Sequence, residues 1–216
     1  MIKAIILDFD GVIIDSEKIW LKSKIEALSK NNIHIQKKIN KNFCLGLNSN
    51  SFFKKFIPKK IYSKIINKVI KSYKISLKKN FLKTPKLNKE ILNIFDIKNI
   101  KFCIVSNNSR SFIDKVLKKY KILRYFNHNK IIALRNTKFQ KPNPYGYLKM
   151  CKILKYKRSE IAVVEDSLSG LISAKDAKMK YIFRYNPLKL KKIAKFKNIN
   201  SFFDLKKFIL QINTKT

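Results

Sequence analysis

Residues 3–11 read KAIILDFDG, and the fold turns on this stretch. Ala4, Ile5, Ile6 and Leu7 are apolar without a break, the pattern of a strand buried on both faces of a parallel sheet. The run stops abruptly at Asp8-Phe9-Asp10-Gly11. Two carboxylates placed just past a buried strand sit badly in a core. They suit the edge of an open parallel sheet, outside the carboxyl ends of the strands, where ligands bind.

Working outward, four more runs share the pattern: KFCIVSN (101–107), KIIAL (130–134), EIAVVED (160–166) and YIFRY (181–185). Helical periodicity fills the gaps. Residues 111–123 place Phe112, Val116 and Leu117 on one stripe. Residues 143–155 do the same with Tyr147, Leu148, Cys151 and Leu154, and residues 167–179 with Leu168, Leu171, Ile172 and Ala174. A further helix is expected over 88–98 and a terminal amphipathic one over 201–212, with the last residues frayed. Strands alternating with helices imply an α/β fold, a Rossmann-like parallel sheet sandwiched by helices. The span 17–84 breaks the rhythm, with helix after helix and no convincing strand. The expected organisation is therefore an α/β core of residues 1–16 and 85–216, with a small all-helical domain of residues 17–84 inserted after the first strand.

Composition bounds the function. Hydrophobic residues make up 45% of 216, enough for a sizeable core. Fifty Lys+Arg against 13 Asp+Glu give a formal charge of +37. That charge raises the prospect of a basic nucleic-acid-binding protein. Yet five of the basic residues are arginine and the rest lysine, spread from Lys3 to Lys215, whereas sequence readout favours the arginine fork. Lysine, asparagine and isoleucine are abundant together, and all three have A/T-rich codons, so the charge reads as background. No specific nucleic acid is expected, although anions are attracted non-specifically. Cys44, Cys103 and Cys151 form no metal or disulfide spacing, which fits reduced thiols in a cytoplasmic setting. No apolar stretch reaches the roughly 20 residues of a membrane helix. A cytoplasmic monomer or small oligomer, with no membrane partner, is the expectation.

The polar residues that interrupt the apolar runs gather at strand ends. They are Asp8 and Asp10, then Ser106 and Asn107, then Lys141 in KPNP, then Glu165 and Asp166. Carboxylate oxygens suit a hard cation, and Mg2+ is commonly held by one or two carboxylates plus substrate phosphate. A carboxylate can also act as a nucleophile, and a second one can protonate a leaving oxygen and later activate water.

In order, DFDGVIIDSE, the apolar run into SN, KPNP and VVEDSLSG resemble the four motifs of the haloacid-dehalogenase-type phosphohydrolases. The likeness covers nearly the whole chain and is closest to the branch containing β-phosphoglucomutase and phosphoglycolate-phosphatase-like enzymes. The inserted helices stand where that branch carries its cap. The resemblance implies a Mg2+-dependent phosphatase acting on small phosphorylated metabolites, such as sugar phosphates, through an aspartyl-phosphate. It assigns Asp8 as nucleophile and Asp10 as general acid/base, whose backbone carbonyl also binds metal. Asp166 is the acidic metal ligand, and Glu165 a helper or second ligand. Ser106 and Asn107 hydrogen-bond the phosphoryl group, while Lys141 neutralises charge between nucleophile and phosphate.

Two departures refine this. Lys178 stands where the family has a glycine closing the fourth-motif helix, which bears on a helix end and not on chemistry. β-Phosphoglucomutases carry a cap histidine where this chain has Trp20, and an arginine after the glycine corresponding to Gly46; LGLNSN (45–50) has none. Both losses favour a phosphatase over a phosphomutase. Asp15 and Ser16 read as the start of the linker to the helical domain. His34 and His128 read as surface residues. Phe52, Phe53 and Phe56 read as core of the helical domain, and Trp20 as a packed helix face, with Trp20 or Lys24 the sharper candidates for facing substrate.

Overall fold

The computed structural model describes residues 1–35, 49–81, 85–187 and 196–214. Cys44 and Gly46, named above, and the expected boundary at residue 84 lie outside these residues. The chain divides into two compact units, Met1–Asp15 with Leu87–Thr216, and Ser16–Lys86.

The second unit carries three helices among its described residues: α1 (Glu17–Ser29), α2 (Ser49–Phe56) and α3 (Lys59–Phe81). Pro58 separates α2 from α3, because a proline disfavours helix at the residue before it and cannot donate to the preceding turn. The aromatic residues of α2 form its core. Phe52 and Phe53 are fully buried, with the Phe56 ring tilted against Phe52 at 4.7 Å and Tyr73 edge-on to Phe53. Trp20 packs edge-on against Phe81. Lys24 is buried, its ammonium 5.4 Å from the centre of the Phe52 ring.

In the first unit, β1 spans Ala4–Leu7. Two short strands, β2 (Ile14–Asp15) and β3 (Lys86–Leu87), form a separate ribbon. The sheet is completed by β4 (Lys101–Ser106), β5 (Phe126–Ala133), β6 (Ile161–Glu165), β7 (Tyr181–Tyr185) and β8 (Lys197–Ile199). Its order is β5-β4-β1-β6-β7-β8, every neighbouring pair parallel. The chain builds outward from β1 through β4 to β5, then returns to β6 and builds the other way. The direction reverses between β1 and β6, so the crevice beyond their C-terminal ends is the topological switch point.

Strand alternation divides the core into two layers. Ile5, Leu7, Ile104, Val164 and Phe183 face one side, covered by α4 (Arg110–Lys119), a 3-10 turn at Lys89–Ile94 and a C-terminal helix, Phe202–Thr214. Ile6, Cys103, Val105 and Val163 face the other. Tyr147, Met150 and Leu154 of α5 (Tyr145–Leu154) and Ala174 of α6 (Leu168–Asp176) cover them. The C-terminal helix is α7.

The structure departs from the sequence reading in several places, the β2–β3 ribbon among them. The segment 88–98 is a 3-10 turn and not an α-helix. Asn88 caps it, its side chain accepting from the Glu90 N–H at 3.3 Å. The third strand begins at Phe126, since the polar residues Asn127 to Asn129 lie on an exposed edge strand that needs no apolar pattern. Strand β8, three residues at the opposite edge, was not expected at all.

Helix ends show what the scarcity of glycine costs. Asn32, Lys121, Lys155 and Lys178 follow α1, α4, α5 and α6 in the left-handed region, with φ of 60°, 56°, 56° and 55°. This is the position where glycine is usual, and a side chain there costs about 1 kcal/mol. At Lys178 the cap is otherwise complete, with the Met179 N–H donating to the Ala174 carbonyl at 3.2 Å. Lys178→Gly is therefore expected to stabilise the fold by roughly 1 kcal/mol. Urea denaturation of the two proteins checks this; an unchanged or lower midpoint for the variant contradicts it.

Candidate active site

Asp8 leaves β1 at the switch point. Its N–H donates to the Val164 carbonyl of β6 at 2.9 Å, so the ladder between the two strands extends one residue past β1. This fixes Asp8 against the end of β6, where Glu165 and Asp166 follow. The three carboxylates each offer an oxygen within 4.8 Å of the others.

Like charges this close need a counter-ion. The Lys141 ammonium supplies it, with its side chain 3% exposed. It donates to Asp8 Oδ1 at 2.7 Å and to the Val105 carbonyl at 2.7 Å, and pairs with Glu165 Oε1 at 2.6 Å. Three acceptors satisfy all three ammonium protons. Burial pulls the Lys141 pKa down, but Asp8 and Glu165 outweigh it, so the ammonium is held charged above its ordinary range. Burial pushes the Glu165 carboxyl up to about 7, and the neighbouring Asp8 charge adds to the rise, while the bonds from Lys141 and Tyr147 oppose it.

The loops that carry these groups are tied together. The Asn107 carboxamide accepts from the Lys141 N–H at 2.8 Å and donates to the Lys141 carbonyl at 3.3 Å, clamping the lysine's backbone. Ser106 is buried, and its Oγ accepts from the Asn108 N–H at 3.0 Å. Ser109 is the N-cap of α4, its Oγ accepting from the Phe112 N–H. The SNNS loop thus serves as helix cap and as a site wall.

Two glycines leave room for carboxylates. Gly11 has φ of +78°, and a Cβ built there would fall 1.8 Å from Asp166 Oδ2. A Cβ on Gly170 would fall 2.0 Å from the Glu165 carboxyl carbon. The first is needed for a turn and for a close approach, the second for the approach alone.

All seven residues named from sequence lie at the C-terminal edge of the sheet. Asp8, Lys141 and Glu165 form one bonded chain, and Asp166 joins it through the acidic cluster. Asp10 is bonded to Asn108, whose Nδ2 donates to Asp10 Oδ2 at 3.1 Å. Sequence reasoning missed three participants. Asn108 carried no assignment from the sequence. Tyr147 looked like an ordinary core position on a helical stripe, yet its buried hydroxyl donates to Glu165 Oε1. Arg184, on β7 in register with Glu165, is buried within electrostatic reach of Asp166. Burial lowers its pKa and Asp166 counteracts this. A polar residue interrupting YIFRY was the available signal for Arg184.

A family model described as haloacid dehalogenase-like hydrolase matches residues 5–184. The chain belongs to that family. It is a hydrolase by class, and the four sequence motifs fall within the matched span. A curated protein named as a proposed pyrophosphatase, PpaX, from Caldanaerobacter subterraneus subsp. tengcongensis, is 28% identical over 182 residues, covering 82% of this chain and 78% of that one. Among solved structures, a haloacid dehalogenase-like protein of Agrobacterium tumefaciens superposes with a TM-score of 0.79 at 19% identity, covering 99% and 100% of the two chains. A predicted phosphoglycolate phosphatase of Haemophilus somnus gives 0.71 at 16% identity, covering 96% and 98%. At these identities the two structures speak to the fold. No helix among the described residues is long and apolar enough to cross a membrane.

Two substitutions test how tightly the site is built. Tyr147→Phe removes a donor to a buried acid and should cost about 2 kcal/mol of stability. Gly170→Ala should cost about 1–3 kcal/mol, because Glu165 is held on its far side and cannot yield. Thermal and urea unfolding of both variants measure this; wild-type stability for either one contradicts the geometry described.

Proposed function

We propose that the protein is a Mg2+-dependent phosphatase that hydrolyses small phosphorylated metabolites, sugar phosphates or similar monoesters, through a phosphorylated Asp8. The observation that carries this reading is the buried Lys141 bonded to Asp8 at the strand edge where Asp166 and Glu165 converge.

In this reading one Asp8 oxygen attacks phosphorus and the ester P–O bond breaks. Asp10 gives its proton to the departing alkoxide. Water then attacks the aspartyl-phosphate, Asp10 takes a proton from it, and the P–O bond to Asp8 breaks to release phosphate. Lys141 fixes the carboxylate plane of Asp8 and offsets the charge of the approaching phosphoryl group. Ser106 and Asn107 line the loop that receives that group, the Asn107 side chain acting through the Lys141 backbone.

The residues present fit a hard cation. Asp8 and Asp166, with Glu165 beside them, offer oxygen donors at close mutual distance, and Gly11 leaves the space that Asp166 occupies. Asp8, the Asp10 backbone carbonyl and Asp166 would hold Mg2+, with Glu165 as a further acid. The ion would supply positive charge against the phosphate oxygens. The helical unit of residues 17–84 would act as the cap that selects substrate.

A panel of sugar phosphates assayed with Mg2+ tests the proposal. Wild-type protein should release inorganic phosphate, and chelation of the metal or Asp8→Asn should lower turnover by at least about 1,000-fold. Wild-type rates in Asp8→Asn would overturn the mechanism. With a β-hexose 1-phosphate, free phosphate is the expected product; net 6-phosphate would assign a mutase instead.

A further inference from the structure

Asn108 is the third residue of the SNN run and has no task in the reading above. Its backbone and side chain are nevertheless both held by hydrogen bonds. The residue is 9% exposed. Its N–H donates to Ser106 Oγ at 3.0 Å, and its carbonyl accepts from the Arg135 N–H at 3.4 Å. Its Oδ1 accepts from the Ser109 N–H at 2.9 Å. That last bond fixes the rotation of the carboxamide, because only the oxygen end can accept from a backbone amide. The NH2 end is thereby turned to Asp10 Oδ2, 3.1 Å away.

We infer that Asn108 is a positioning residue for Asp10, holding its carboxyl so that the proton given to the leaving group is carried on Oδ1. This rests on the general acid/base reading of Asp10 proposed above. The chemistry is direct. An amide N–H can only donate, so Oδ2 is committed as acceptor and the transferable proton resides on the other oxygen. Asp10 follows a residue whose backbone is pinned by Ile13 and Ile14, whose N–H groups both donate to the Phe9 carbonyl. The bond from Asn108 restrains its side-chain rotation. General acid catalysis contributes about 100- to 10,000-fold, and it depends on placing the acid within hydrogen-bond reach of the leaving oxygen. In phosphoryl transfer to Asp8, the ester P–O bond breaks and the proton passes from Asp10 Oδ1 to the leaving alkoxide. In this inference Asn108 acts through Asp10.

A positioning role for the acid has a signature that a structural role lacks, namely dependence on the leaving group. 4-Nitrophenyl phosphate departs as a stable phenolate and needs little protonation. Benzyl phosphate departs as an alkoxide and needs it fully. kcat/KM reports the step in which the leaving group departs. For Asn108→Ala, kcat/KM with benzyl phosphate should fall by about 100-fold, and with 4-nitrophenyl phosphate by less than about 5-fold. Asn108→Asp, close in shape but with an ionised carboxylate that cannot donate to Asp10 Oδ2, should behave alike, and it carries the test if the alanine variant fails to fold. Equal losses on both substrates in the folded variants would overturn the inference. Asp10→Asn serves as the reference and should show the same leaving-group dependence. If it does not, the general-acid reading of Asp10 itself fails, a result distinct from failure of Asn108 alone.

Discussion

The site depends on one buried cation. Lys141 reaches from the loop after β5 into the space between Asp8 and Glu165 and satisfies its three protons on groups from β4, β6 and the end of β1. Without it, carboxylates whose oxygens lie within 4.8 Å would repel each other in a region nearly closed to solvent. Breaking a buried pair of this kind typically costs about 3–5 kcal/mol, because the uncompensated charge stays behind. The surrounding bonds make sense as support for this one group. Asn107 clamps the lysine's backbone, Tyr147 shares Glu165 with it, and Gly170 gives Glu165 the room to reach it. The arrangement is one of mutual constraint: the fold is held by the ion pair whose carboxylate is the proposed nucleophile.

Much of this was legible in the sequence. Strands β1, β4, β6 and β7 are central or nearly so and buried on both faces, so their apolar runs announce them. The residues that interrupt those runs are the site. Edges were harder to read. Strands β5 and β8 each have one neighbour and need less burial, so Asn127, His128 and Asn129 gave no strand pattern. The 3-10 turn after Asn88 has helical spacing over too few residues to tell it from an α-helix. Within the site, backbone position followed from the strand ends, but side-chain partners did not. Nothing in SNNS distinguishes Asn107, which clamps a lysine, from Asn108, which holds an aspartate. Tyr147 satisfies the spacing of a core helix position and also reaches a buried acid. A one-dimensional pattern records the first property and not the second.

The lysine excess and glycine scarcity share a cause in composition, and their physical effects can be separated. Lysines dominate the surface without forming the site, where the single buried lysine of the first unit is Lys141 among the described residues. Glycine is retained at Gly11 and Gly170, where a Cβ would collide with a carboxylate, and at Gly146, where it would meet Val105 at 2.7 Å. Lysine or asparagine stands at the helix ends instead, where the penalty is about 1 kcal/mol and spread over several positions. Steric collision at the site costs more per position than strain at a cap.

The central claim is that Asp8 carries the phosphoryl group during turnover. Protein quenched with acid in mid-reaction, reduced with borohydride and digested should yield homoserine at position 8, since an acyl phosphate is reduced where a free carboxylate is not. Reduction at any other carboxylate, or steady release of phosphate with no residue modified, would contradict the account.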